Sequence, residues 1–138
     1  MDEVLTLEVR NVRDAIAPAT RSAEAWLGNF NPSPEASYLV QLAIEELVLN
    51  CIKYGYDDTA EHTIVIKLSV ADRALTMTVI DDGHPFDPLA VPPPDLSVDL
   101  VDRPRGGLGI HLLRQLADNM AYQRCGDTNQ LTLTKNMR

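Results

Sequence analysis

The chain predicts a two-layer α/β sandwich of the α+β kind, a largely antiparallel mixed sheet with its helices on one face. Three observations carry this expectation. Two pairs of β-rich runs are joined by short links, the helical stretches are grouped rather than alternating with strands, and the 138 residues suffice for one core. Hydrophobic residues make up 45 % and charged ones 23 %, the balance of a soluble globular protein. A single domain over residues 1–138 is therefore expected.

Taken in order, residues 4–9 alternate apolar and mixed side chains and predict an opening strand. Residues 12–27 predict a helix, with Ile16, Thr20, Ala23 and Leu27 along one stripe. Asn31-Pro32-Ser33-Pro34 breaks it, and Ser33 is placed to cap a second helix with Pro34 at its first position. That helix runs over 34–54 and stops at Gly55. Residues 63–70 and 74–80 predict a hairpin through Ala71-Asp72-Arg73. The segment from about 88 to 105 holds most of the prolines and no clean period, which suits a lid over a site. A third helix over 108–120 and two strands, 121–124 and 130–134 around a turn at 126–129, close the chain.

Charge narrows the partners. Twelve Lys and Arg against twenty Asp and Glu give a formal net charge of −8, with no basic run to offset it. A polyphosphate backbone would repel such a surface, so nucleic acid is not an expected partner. Met1-Asp2-Glu3-Val4 lacks the basic and apolar segments of a secretory signal, and no window approaches the roughly 18 apolar residues of a membrane span. Cys51 and Cys125 fit neither a disulfide framework nor a zinc cluster, so a reduced cytoplasmic setting without a membrane is expected.

Three patches carry chemistry. On the second helix, Glu46 and Asn50 are one turn apart on one face, with Lys53 on the adjoining edge. A carboxylate there accepts a proton and an asparagine carbonyl ligates a hard divalent cation, although Glu46 taken alone reads more readily as an ordinary polar edge. Asp81-Asp82-Gly83 follows a strand directly, where Gly83 lets the backbone turn sharply and Asp81 can accept from the amino group of a base. The bland alternative is a simple turn. Arg105-Gly106-Gly107-Leu108-Gly109-Ile110 leads into a helix, so free N–H groups and the dipole's positive end converge where a phosphate fits. It is neither a P-loop nor a dinucleotide fingerprint, since no Gly-Lys-Ser/Thr follows and the third glycine position is missing.

Together the patches resemble the ATP-binding domain shared by gyrase, Hsp90, histidine kinases and MutL, the Bergerat or GHKL fold. Glu46 through Tyr54 is similar to that family's N-box, Asp81-Asp82-Gly83 to its first glycine box, and Arg105 to Ile110 to its second. The short length and the Tyr54-Gly55-Tyr56 ending are most similar to the bacterial anti-sigma factor serine kinases.

The resemblance implies ATP and Mg²⁺ as cofactors. It makes Glu46 the general base, Asn50 the Mg²⁺ ligand and Asp81 the adenine contact, with Gly83 letting the ring approach. Lys53, Phe86, Arg105, Gly106, Gly107, Leu108, Gly109 and Ile110 complete the nucleotide site under it. It also implies that the phosphate acceptor is a serine on an anti-anti-sigma partner of the STAS type, in competition with a sigma factor. A homodimer is implied too, without an interface signature in the sequence. Two departures stand out. Pro85 occupies the usual second glycine of the first box, and the threonine of the final strand pair is replaced by Asn129 or Gln130. An ATP-gated switch that sequesters a partner without phosphorylating it, or a domain whose glycines are only turns, remains an open alternative.

Overall fold

In the computed structural model, which describes residues 3–92 and 107–138, five strands form one sheet in the order β1-β2-β3-β5-β4. They are β1 Glu3–Arg10, β2 Thr63–Ala71, β3 Ala74–Asp81, β4 Asn119–Cys125 and β5 Thr128–Asn136. All four pairings are antiparallel. The helices α1 Ile16–Leu27, α2 Pro34–Tyr54 and α3 Gly107–Leu116 cover one face. Strands β2 and β3 alternate strictly, so Ile64, Ile66, Leu68, Leu75, Met77 and Val79 point into the helices. The two-layer expectation therefore stands.

Helix α2 is the spine of the buried layer. Ser33 accepts from the Ala36 amide at 3.1 Å, satisfying one of the free first-turn donors, and Pro34 begins the helix at no hydrogen-bond cost. Ala36, Leu39, Val40, Ala43, Ile44 and Val48 are at most 1 % exposed. The helix ends where Gly55 donates to the Cys51 carbonyl, 2.9 Å away.

Three expected boundaries move. The first helix does not begin at residue 12: a 3₁₀ turn over Arg13–Ala15 precedes α1. Pro18 has no N–H and is tolerated only in the first turn of an α-helix, which delays the start to Ile16. The third helix stops at Leu116, because Asp118 donates to the Thr134 carbonyl at 2.8 Å and Asn119 and Met120 pair with β5 instead. The last turn contracts to Gly126-Asp127, with Gly126 at φ +58°, and this puts Thr128 and Asn129 inside β5.

The β2–β3 link is a two-residue turn in which both Asp72 (φ +51°) and Arg73 (φ +64°) are left-handed. This is the hairpin geometry that matches strand twist, occupied here without glycine. Arg73 is compensated by its side chain, which donates to the carbonyls of Phe30, Asn31 (3.0 Å) and Met137 (2.7 Å). One arginine thus ties the hairpin tip to the α1–α2 connection and to the C-terminus. Replacing Arg73 by Ala should destabilise the fold by about 1–3 kcal/mol, because three carbonyls lose a charged donor. Urea unfolding with an unchanged slope checks this, and an unshifted midpoint would refute it.

Candidate functional site

The sheet order creates the site. The chain leaves β3 at Asp81, passes through α3 to the edge strand β4, and returns as β5 between them. The ends of β3 and β4 and the start of β5 therefore meet at one margin, beside the last turns of α2. A pocket opens there, walled by Leu47, Val79 and Leu131, with Asn50, Asp81 and Asn129 as its polar lining. Phe86 and Tyr122 also face it.

Asn50 is 9 % exposed, and its amide nitrogen is buried with no hydrogen-bond partner among the described residues. Such an orphan costs about 1–3 kcal/mol, which an incoming oxygen would relieve. A carboxamide oxygen of this kind is a hard donor suited to a divalent cation. One turn earlier, Glu46 is half-buried. Burial first, and the neighbouring Glu45 carboxylate second, push its pKa above the ordinary glutamate value, while Lys53 pulls it back. Lys53 itself is exposed on the helix edge. Gly109 in α3 lies directly against Glu46, and a Cβ there would collide with the carboxyl group. The third patch is thereby joined to the first by contact.

The Asp81 carboxylate accepts at Oδ1 from the Gly83 amide (2.9 Å) and from Asn129 Nδ2 (2.9 Å). Gly83 has no positive φ, so it is not required for a left-handed turn. A Cβ on it would stand 2.8 Å from the Gly55 carbonyl oxygen, and His84 donates to that same oxygen at 2.8 Å. What the glycine allows is close packing of the loop on the end of α2. From the other side, Arg124 donates to the Gly83 carbonyl at 2.8 Å.

Of the remaining expected positions, Leu108 is exposed while Ile110 is fully buried in the core, so Ile110 offers a ligand only its backbone. Gly107 is the first residue of α3. Arg105 and Gly106, like most of the expected lid at 88–105, lie outside the described residues; within it, Pro88–Ala90 form a 3₁₀ turn capped by Asp87. No group of three or more His, Cys, Asp or Glu among the described residues is arranged to hold a metal. No helix among them is long and apolar enough to cross a membrane.

A second cluster beside the pocket escaped the sequence reading. Tyr56 stacks on His62 with ring centres 3.8 Å apart, and the Tyr56 hydroxyl donates to Asp82 Oδ1 at 2.8 Å. The His62 ring lies between Asp58 (2.8 Å) and Asp82 (3.4 Å). Its pKa is raised, chiefly by the hydrogen bond to Asp58 and then by Asp82. Burial works to raise the Asp82 carboxyl, but the bonds from Tyr56 and His62 outweigh it and hold the group low. The only available signal was the string of acids around Tyr56 and His62, which reads as a solvated loop.

Comparison with known proteins agrees with the motif reading. Residues 9–135 match the family described as the histidine kinase-like ATPase domain. The serine/threonine-protein kinase BtrW of Bordetella bronchiseptica is 28 % identical over 102 residues, 74 % of this chain and 72 % of the relative. An anti-sigma F factor of Clostridium perfringens is 22 % identical over 138 residues, covering 99 % of both chains. Among solved structures, that of the RsbU and RsbW domains of Rv1364c from Mycobacterium tuberculosis superposes with a TM-score of 0.69 at 19 % identity. It covers 98 % of this chain, which spans about a third (32 %) of that larger one. The Acinetobacter baumannii histidine kinase AdeS aligns over 99 % of this chain and 69 % of its own at a TM-score of 0.52 and 16 % identity. Both structural likenesses bear on the fold.

Because the His62 pKa is raised, its contribution to stability is complete below the ordinary histidine value of about 6.5 and is lost as pH rises through the higher native value. An NMR titration of the His62 ring should give a midpoint above about 6.5. A midpoint at or below it would show that the Asp58–His62–Asp82 cluster does not hold in solution.

Proposed function

The chain belongs to the histidine kinase-like ATPase domain family, and on that premise we propose that it binds Mg-ATP and phosphorylates a serine of an anti-anti-sigma partner of the STAS type, controlling release of a sigma factor. The observation that carries the reading is Glu46, half-buried under Gly109 and one turn from the unpartnered amide of Asn50. The names of the relatives, a serine/threonine-protein kinase and an anti-sigma F factor, support the direction of transfer and the kind of partner.

In this reading adenine enters the pocket between Leu47, Val79 and Leu131, and its amino group meets Asp81. Asn50 holds Mg²⁺, which when bound neutralises charge on the phosphates. The triphosphate runs toward the start of α3, where backbone N–H groups at Gly107, Leu108, Gly109 and Ile110 receive it. Lys53 belongs to the same reading, and so do Arg105, Gly106 and the expected lid at 88–105, most of which lies outside the described residues. Glu46 accepts the proton of the serine hydroxyl as that oxygen bonds to the γ-phosphorus and the bond to the β-phosphate oxygen breaks. A carboxyl group with a raised pKa suits a general base, because it holds a transferred proton better than an exposed glutamate does. A cytoplasmic, homodimeric protein without nucleic-acid contacts, folded as one domain over 1–138, completes the proposal.

Wild type and Glu46→Gln, mixed with Mg-ATP and the acidic partner that copurifies, are compared by intact mass. Wild type should add one phosphate, and the variant should be slower by about 10²–10⁴-fold. Both should be stabilised alike by Mg-ATP, by about 2.7 kcal/mol at a hundred times the dissociation constant. Without nucleotide the variant should be the more stable at pH 7. A raised carboxyl pKa means native stability is lost as pH rises through it, and glutamine removes that loss. Solvent screening at a half-exposed group keeps the gain below about 1 kcal/mol. Undiminished transfer by Glu46→Gln would remove the general-base assignment.

A further inference from the structure

The proposed chemistry makes no use of Asn129, yet this is one of the few buried polar side chains among the described residues, 6 % exposed. It stands directly opposite Asp81 in the β3–β5 register. Its Nδ2 donates to Asp81 Oδ1 at 2.9 Å and to the His84 carbonyl at 2.8 Å, with the Gly83 carbonyl a further 3.5 Å neighbour. Its Oδ1 accepts from the Phe86 amide at 3.2 Å and from the Tyr122 hydroxyl. A carboxamide has two N–H donors and two acceptor sites, and all four are used. The amide orientation is forced as well. The Phe86 amide only donates and the His84 carbonyl only accepts, so a flipped group would set like against like at both ends.

A saturated carboxamide has nothing left to offer a ligand, and its effect on one must pass through its partners. We propose that Asn129 is the positioning residue for base selection: it pins Asp81 Oδ1, so that Oδ2 is presented to the exocyclic amino group of adenine. The Gly83 amide bonds to the same Oδ1, while Oδ2 accepts no hydrogen bond from the described residues. Through His84 and Phe86 the same amide also fixes the loop that forms the pocket rim. This inference rests on the ATP-binding reading above. Its specific content is that discrimination between an amino group and a carbonyl on the base depends on a side chain with no hydrogen-bonding site left for the base.

The test uses the full chain and calorimetric titration with Mg-ATP and with Mg-ITP, whose base carries a carbonyl in place of the adenine amine. Wild type should prefer ATP, because a carbonyl facing the Asp81 carboxylate pairs two acceptors. In Asn129→Asp at pH 8, a carboxylate replaces the donor opposite Asp81 and His84. ATP affinity should fall at least about tenfold while ITP affinity, resting on the phosphates, hardly changes. Asn129→Leu, of similar volume, should lose the preference as well. Parallel losses of ATP and ITP affinity, or a preference unchanged in a folded variant, would overturn the positioning role and leave ATP binding standing. Failure of wild type to bind Mg-ATP would overturn the ATP reading, and this inference with it.

Discussion

The site depends on one close approach, that of the Gly83 backbone to the Gly55 backbone at the end of α2. A methyl group at Gly83 would stand 2.8 Å from the Gly55 carbonyl oxygen, too near for any real contact. With hydrogen there instead, His84 donates to that oxygen and the loop after β3 is fastened to the helix layer. Asp81, two residues earlier, then faces the same pocket as Asn50. Move the two backbones apart and Asp81 and Asn50 no longer share a cavity. The contact also sets the position of Arg124, which reaches the Gly83 carbonyl from β4.

Around this junction the protein departs from the rules the rest of its core obeys. The interior between sheet and helices is apolar and closely packed, with Ile64, Ile66, Leu68, Ile44 and Val48 fully buried. At the margin the same helix carries an amide with no partner among the described residues and a carboxyl group whose ionised form is disfavoured. Both features destabilise the empty protein. Features of this kind concentrate where a ligand supplies what the fold withholds. Asn129 is the opposite case: a buried polar group with every valence met, rigid where Asn50 is unsatisfied.

Much of this was legible in the chain. The Ser33-Pro34 start and Gly55 stop of α2, the β2–β3 hairpin and the helix-on-one-face layering follow from capping chemistry and period alone. So does the placing of Glu46 and Asn50 on one face. The misplaced boundaries have different causes: tertiary pairing overrules local spacing at Met120, and a local backbone restriction decides at Pro18. Met120 continues the apolar spacing of α3, but pairing with Leu133 of β5 satisfies a strand's worth of backbone groups that a longer helix would have left open. Pro18 had the reverse effect, shortening a helix that side-chain pattern alone would extend.

Local sequence by itself determined which elements form, which faces are apolar and which residue types are available for chemistry, because capping, periodicity and glycine content act over a few neighbouring residues. Tertiary structure decided which of those residues meet. Asp81 and Asn129 are 48 residues apart in sequence and become partners only because β5 inserts between β3 and β4 in one particular register. Gly109 meets Glu46 only once α3 has packed on α2, and Gly83 meets Gly55 only once the sheet has packed on α2. Register and layer contacts are settled by the fit of whole surfaces, and a slip of one residue would turn Asn129 to the other face of the sheet.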